Sequence, residues 1–110
     1  MSAEAAGEDE VRTLDLSREL AWTMERGGKS EQARLRALEA LQKSKARYGM
    51  LHPLHLRVKA VAAAIHFRQG DRAAAIDLND EVVRGSLRVF GAESEEVQAA
   101  EANQTIYAKQ

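Results

Sequence analysis

His52 and His55 are the side chains best suited to metal chemistry, because two histidines three residues apart on a helix can ligate a metal ion. His52 directly precedes Pro53, which favours a position in a connector rather than within a helix. No third ligand is evident near the pair. We therefore predict no metal site and no cofactor, and we expect His66 to pack or to point to solvent.

The serines and carboxylates do not form the arrangements that catalysis requires. No serine lies in a nucleophile elbow or matches a triad pattern. The segment GGKS at 27–30 is similar to part of a phosphate-binding loop, but the upstream glycine and the preceding strand are absent, so it is predicted to be a turn. The acidic residues are scattered, as in ESEE at 93–96, rather than paired for general acid–base chemistry. These patterns predict a protein that is not an enzyme.

Basic residues are concentrated between positions 29 and 47, and this run has two interpretations. It could form a patch for acidic partners. It could instead be the solvated outer face of a helix, which we favour because charged outer helices are ordinary. The formal net charge of the whole chain is −1, which argues against a general nucleic-acid binder. The basic members of the run are Lys29, Arg34, Arg36, Lys43, Lys45 and Arg47.

The composition is that of one globular domain built from helices. The 110 residues are 45% hydrophobic and 30% charged, while aromatic residues make up only 5%. A core of Ala, Leu and Val suits closely packed helices, and the residues that strands favour are sparse. There is no cysteine for a disulfide or a thiolate zinc site. No apolar run approaches the roughly 20 residues of a membrane span.

The first residues and the absence of cysteine bear on location. The segment MSAEAAGEDE is acidic and rich in small residues, which is the reverse of a targeting peptide. We interpret residues 1–8 as a disordered lead-in to a domain that covers 9–110. We expect a cytoplasmic or cytoskeleton-associated protein that does not contact a membrane.

Glycines and one proline divide the domain into five predicted helices. Apolar residues recur at helical spacing between these breaks. Glycine can adopt the left-handed conformation that ends a helix, and proline is well placed in a first turn. The predicted helices span about 9–26, 30–48, 53–68, 72–90 and 94 to the last residue, with turns near Gly28, Gly49, Gly70 and Gly91.

Several landmarks recur at a spacing of 42 residues, which indicates an internal repeat. Small residues at matched places in two helices mark close approach of their axes. The sequence therefore predicts a unit of helix, tight turn, helix and connector, with copies at about 10–51 and 52–93 and a partial copy at 94–110. The matched pairs are Gly28 and Gly70, Gly49 and Gly91, Ala33 and Ala75, and Ala21 and Ala63.

The second copy resembles a tetratricopeptide repeat of the long, 42-residue type found in kinesin light chains. The matching residues are His52-Pro53, Ala62-Ala63, Gly70, Ala75 and Gly91, and in the first copy Leu20-Ala21, Gly28, Ala33, Ala40 and Gly49. The third copy departs from the pattern, with Ser94-Glu95 for His-Pro and Gln104-Thr105 for Leu-Ala. The resemblance implies an α-solenoid of two full repeats and a terminal helix.

In this family the first helix of each repeat lines a concave inner face that binds extended or partly helical peptides. The resemblance assigns to that face Arg18, Glu19, Trp22 and Arg26, then Arg57, Ala60, Val61, Ala64 and Arg68, and finally Ala102, Asn103 and Ile106. Trp and Arg are enriched at binding hot spots, and arginine forks suit carboxylates, which favours an acidic partner. In a second interpretation, Trp22 only packs between the first two hairpins.

Two classes of function follow. The favoured one is a protein–protein interaction module that binds a peptide or partner segment and acts as an adaptor or scaffold. The alternative is a structural assembly domain that forms a homodimer through Val97, Ala100 and Ile106. The chain would be a monomer in the first case and a dimer in the second.

Overall fold

The computed structural model describes the backbone of residues 3–109 and the side chains of residues 9–109. Five helices and no strand occupy this part of the chain, which confirms the prediction of an all-α, repeat-like fold. The helices are α1 (Ala3–Arg26), α2 (Ser30–Tyr48), α3 (Pro53–Arg68), α4 (Arg72–Phe90) and α5 (Glu95–Ala108).

The start of α1 differs from the predicted boundary at residue 9. The helix begins at Ala3, within the segment 1–8 that was predicted to be disordered. Met1 and Ser2 lie outside the described residues. Alanine and glutamate are strong helix formers, and acidic residues are favourable near the positive end of a helix. These local preferences explain how the helix extends past the apolar pattern on which the boundary was based.

Glycines with a positive φ lie at all four predicted turns. Gly28, Gly49, Gly70 and Gly91 have φ values of 86, 87, 88 and 92°. The two hairpin turns also share a hydrogen-bond pattern. Lys29 N donates to Met24 O, and Asp71 N donates to His66 O, and the N···O distance is 2.9 Å in both. This is the bonding that closes a helix before a left-handed glycine. The local geometry therefore repeats, as the 42-residue spacing predicted.

Side-chain caps fix the starts of three helices. The Nδ1 atom of His52 accepts a hydrogen bond from the Leu54 amide at the start of α3. Asp71 accepts from the Ala74 amide of α4, and Ser94 accepts from the Val97 amide of α5. Each cap satisfies an amide that has no partner within its helix.

The helices pack as two hairpins and a covering helix. α1 pairs with α2, α3 pairs with α4, α3 also packs against α1 and α2, and α5 packs on α4. Ala63 and Ala75 are both completely buried in one cluster with Tyr107, so these small residues lie where the sequence predicted a close approach. The aromatic rings of Phe67 and Tyr107, 4.6 Å apart, extend this cluster to α5.

Buried polar contacts join neighbouring helices. Ser44 of α2 lies 2.9 Å from the Nδ1 atom of His55 in α3. The Lys59 ammonium of α3 is almost completely buried, 3.4 Å from a carboxylate oxygen of Glu81 in α4. Polar groups buried in this way stabilise one arrangement of the helices, because any shift leaves a desolvated group without its partner.

Candidate partner-binding face

The predicted residues of α1 and α3 meet on one surface, which we call the inner face. The Arg68 guanidinium of α3 lies 5.7 Å from the centre of the Trp22 ring in α1. Farther along the same pair of helices, Arg57 of α3 approaches the Asp15 carboxylate of α1 at 3.9 Å. Two arginines of α3 are therefore in contact with α1, as a shared face requires.

Trp22 is half-buried, and its contacts agree with both packing between the hairpins and exposure at the inner face. The indole packs against a buried cluster that includes Ala21 and Ile65, with Val61 beside it. The half-exposed Arg68 guanidinium lies over the ring at cation–π distance. Trp22 thus packs between the hairpins and still presents surface at the inner face.

Carboxylates of the same chain neutralise much of the positive charge on this face. Asp15 accepts a hydrogen bond from the Nε atom of Arg18 at 2.9 Å, and Glu19 lies 3.6 Å from another nitrogen of the Arg18 guanidinium. Arg68 lies 4.0 Å from the buried Glu25. The inner face is therefore less basic than its arginines alone suggested.

Sequence reasoning missed Asp15 and Glu25 as members of this surface. The spacing of Asp15 and Arg18, three residues apart on a helix, could have identified the first pair. Glu25 gave no such signal, because two of its partners, Arg68 and Gln69, come from a distant segment. The Nε2 atom of Gln69 donates to Glu25 at 2.7 Å, and Ser30 donates to it at 3.4 Å.

The remaining predicted residues differ in how exposed their side chains are. Glu19, Arg26 and Arg57 are exposed, and so is Ala102, while Ala64 is half-buried. Asn103 of α5 is half-buried and lines a cavity of about 150 Å³ together with Arg57 and Ala60 of α3. α5 therefore adjoins the inner face through Asn103. Ile106 is 50% exposed farther along α5.

Two residues predicted for a homodimer contact are buried within the chain. Val97 and Ala100 are 1% and 3% exposed. Ala100 packs in one cluster with Val82 and Val83 of α4. Of the three residues predicted for self-association, only Ile106 presents its side chain to solvent.

A second and larger cleft lies between α1 and α2, and it contains none of the predicted inner-face residues. Its volume is about 620 Å³. Its charges are mostly paired, with Lys43 2.8 Å from Glu39 and Arg47 2.8 Å from Glu10. The hydrogen bond and charge of Lys43 hold the pKa of Glu39 below its ordinary value. This pairing and exposure fit the solvated outer helix that the basic run predicted.

The two histidines with the spacing of metal ligands have different surroundings. His52 caps α3, with its ring 4.7 Å from that of Tyr48. His55 is completely buried, and burial, aided by the nearby charges of Lys59 and Lys45, lowers its pKa from 6.5 to about 4. In the described part of the chain, no three His, Asp or Glu side chains lie close enough to hold a metal ion.

Hydropathy and comparison with known proteins add two findings. Within residues 3–109, no helix is both long enough and apolar enough to cross a bilayer. Comparison with protein-family models, curated proteins and solved structures gives no match for this chain.

Proposed function

We propose that the chain is a protein–protein interaction module that binds a peptide or partner segment on its inner face. The observation that carries the proposal is the half-buried Trp22 beneath Arg68, with Arg57 exposed on the same face. A tryptophan with an arginine over its ring combines the two side chains that contribute most often to binding hot spots. The resemblance to tetratricopeptide repeats, and the repeated glycine geometry at 42-residue spacing, support a role for this face.

The charges on the inner face define the partner chemistry. An acidic residue of the partner would compete with Asp15 for Arg57, or with Glu25 for Arg68. An apolar residue would contact the exposed part of Trp22. The preferred ligand is therefore a short segment that places acidic residues beside an apolar one, bound as in an adaptor or scaffold of the cytoplasm or cytoskeleton.

The test is a titration of a peptide that is selected by display against the immobilised chain. Trp22→Ala should weaken binding about 30-fold, which corresponds to roughly 2 kcal/mol at a hot spot. Arg57→Glu should weaken it as well, through charge reversal at a residue whose side chain is 55% exposed. Lys43→Glu, on the outer helix, is the matched charge-reversal control and should bind like the wild type.

Two outcomes would contradict the proposal. Equal affinity of the wild type and all three variants would remove the inner face as the binding site. A loss confined to Lys43→Glu would move the site to the cleft between α1 and α2. Because Trp22 also packs against the core, circular dichroism must show that Trp22→Ala remains folded, and Arg57→Glu supplies the test that does not depend on core packing.

A further inference from the structure

One face of α1 is exposed and carries two leucines. Leu16 and Leu20 are 58% and 42% exposed, which leaves two large apolar side chains in water. Exposed threonines lie at helical spacing before and after them, so all four residues share one side of the helix. We call this surface the α1 face, and its residues are Thr13, Leu16, Leu20 and Thr23.

The corresponding face of α3 is buried, and it shows what kind of neighbour such a face accepts. Val58 packs in one cluster with Ala40 of α2, and Ile65 packs in another with Ala37 of the same helix. A face in this position of a hairpin therefore accepts a helix as its neighbour. The residues of α3 that occupy it, 42 positions after those of the α1 face and at most 5% exposed, are His55, Val58, Ala62 and Ile65.

The α1 face is complementary to a second copy of itself. Its pattern is symmetric about position 18, with a leucine two residues away on each side and a threonine five residues away on each side. In an antiparallel pair of α1 helices with a two-fold axis at that position, Leu16 of one copy meets Leu20 of the other, and Thr13 meets Thr23. Each contact then occurs twice, as in an isologous dimer.

The charges at the two ends of the α1 face favour the same antiparallel arrangement. Asp9 lies nine residues before the centre of symmetry, Arg26 lies eight residues after it, and both are exposed. An antiparallel pair places Asp9 of each copy beside Arg26 of the other, whereas a parallel pair would place like charges together. A second copy therefore matches this face in charge as well as in its leucines.

We propose that the chain forms a two-fold dimer in which the α1 faces of two copies pack antiparallel. This dimer differs from the one predicted through α5, because Ile106 takes no part in it. It does not depend on peptide binding at the inner face. Trp22 follows Leu20 by two residues and so lies about 200° farther round the helix, on the other side of α1.

Sedimentation equilibrium of the wild type, from micromolar to millimolar concentration, measures the dimer. The average mass should rise towards twice the 12.1 kDa of one chain. Leu16→Glu should weaken dimerisation at least about tenfold, because each dimer would bring two carboxylates against leucines. Ile106→Glu makes a matched change on α5, at a residue that is 50% exposed, and should dimerise like the wild type.

A charge exchange tests the antiparallel pairing without altering the leucines. Arg26→Glu should weaken the dimer about threefold to tenfold, because two like-charge contacts replace two contacts of opposite charge. Adding Asp9→Lys to Arg26→Glu should restore the association of the wild type, since the charges are then exchanged rather than lost. Circular dichroism checks that each variant is folded.

Three results would overturn the proposal. A chain that stays monomeric at millimolar concentration forms no such dimer, and its α1 face is then open to a helix of another protein. A dimer that survives in a folded Leu16→Glu and is lost in Ile106→Glu would lie on α5 instead. A dimer that the double variant does not restore would lack the contact between Asp9 and Arg26, and this test holds even if Leu16→Glu does not fold.

Discussion

The two halves of the surface around α3 differ in how their polar groups are satisfied. Between α1 and α3, Arg57 and Arg68 already face Asp15 and Glu25 of the same chain, with Trp22 as the apolar element. Between α3 and α5, the smaller cleft has a mostly apolar wall and few polar groups to satisfy. A ligand of the first half must compete with internal ion pairs, whereas the second half offers apolar contact without that competition.

Acid should have the largest effect on the packing of α3, on which both halves depend. The folded-state pKa of His55, about 4, lies below the ordinary value of 6.5. The unfolded chain therefore binds the proton first, so the stabilisation is complete above pH 6.5 and is lost as the pH falls towards 4. The loss from this residue should reach about 3 kcal/mol and then level off.

Chemical denaturation at a series of pH values measures this loss. In His55→Gln, which cannot titrate, the fall in unfolding free energy between pH 6.5 and 4.5 should shrink, whereas His66→Gln should keep it. An identical pH profile for the wild type and His55→Gln would show that His55 is not held neutral in the folded protein.

Overpacking should lower the unfolding free energy more on the core side of α3 than on its inner-face side. Ala63 is completely buried against Ala75 and Tyr107, so Ala63→Leu should lower the unfolding free energy by about 1–3 kcal/mol. Ala64 is the next residue and is half-buried, so Ala64→Leu should cost less. Thermal melts of both variants test this, and an unchanged melting temperature for Ala63→Leu would mean that the close contact is absent.

These features differ in how far the sequence could predict them. Glycine and proline positions predicted the bounds of α2, α3 and α4, because glycine tolerates the positive φ that ends a helix and proline fixes φ at a helix start. The 42-residue spacing also predicted the buried pair Ala63 and Ala75. Local preferences extended α1 to Ala3, which the apolar periodicity could not indicate.

The charge and the cavity of the site could not be predicted in the same way. The neighbour of Arg57 is Asp15 of another helix, and that contact depends on how α1 and α3 rotate against each other. The size of the smaller cleft depends on the volume left between α3, α4 and α5. Spacing along one chain carries no information on either quantity.

Removal of an internal carboxylate should strengthen peptide binding in the half between α1 and α3. This is the smallest of the expected effects. Asp15→Asn frees Arg18 and Arg57 from a neighbouring negative charge. An acidic peptide should then bind about twofold to fivefold more tightly, the scale of one exposed ion pair, and with a steeper salt dependence. Isothermal titration at two salt concentrations measures both effects, and weaker binding by Asp15→Asn would show that Asp15 itself contacts the peptide.

An amide shift map of the labelled chain with a display-selected peptide tests the proposed binding face most directly. We predict that the largest shifts lie on the inner face, at Trp22, Arg57 and Val61, with small shifts at Ala40 and Lys43. The account would be contradicted if the large shifts lay instead along the cleft between α1 and α2 while the inner face stayed unperturbed.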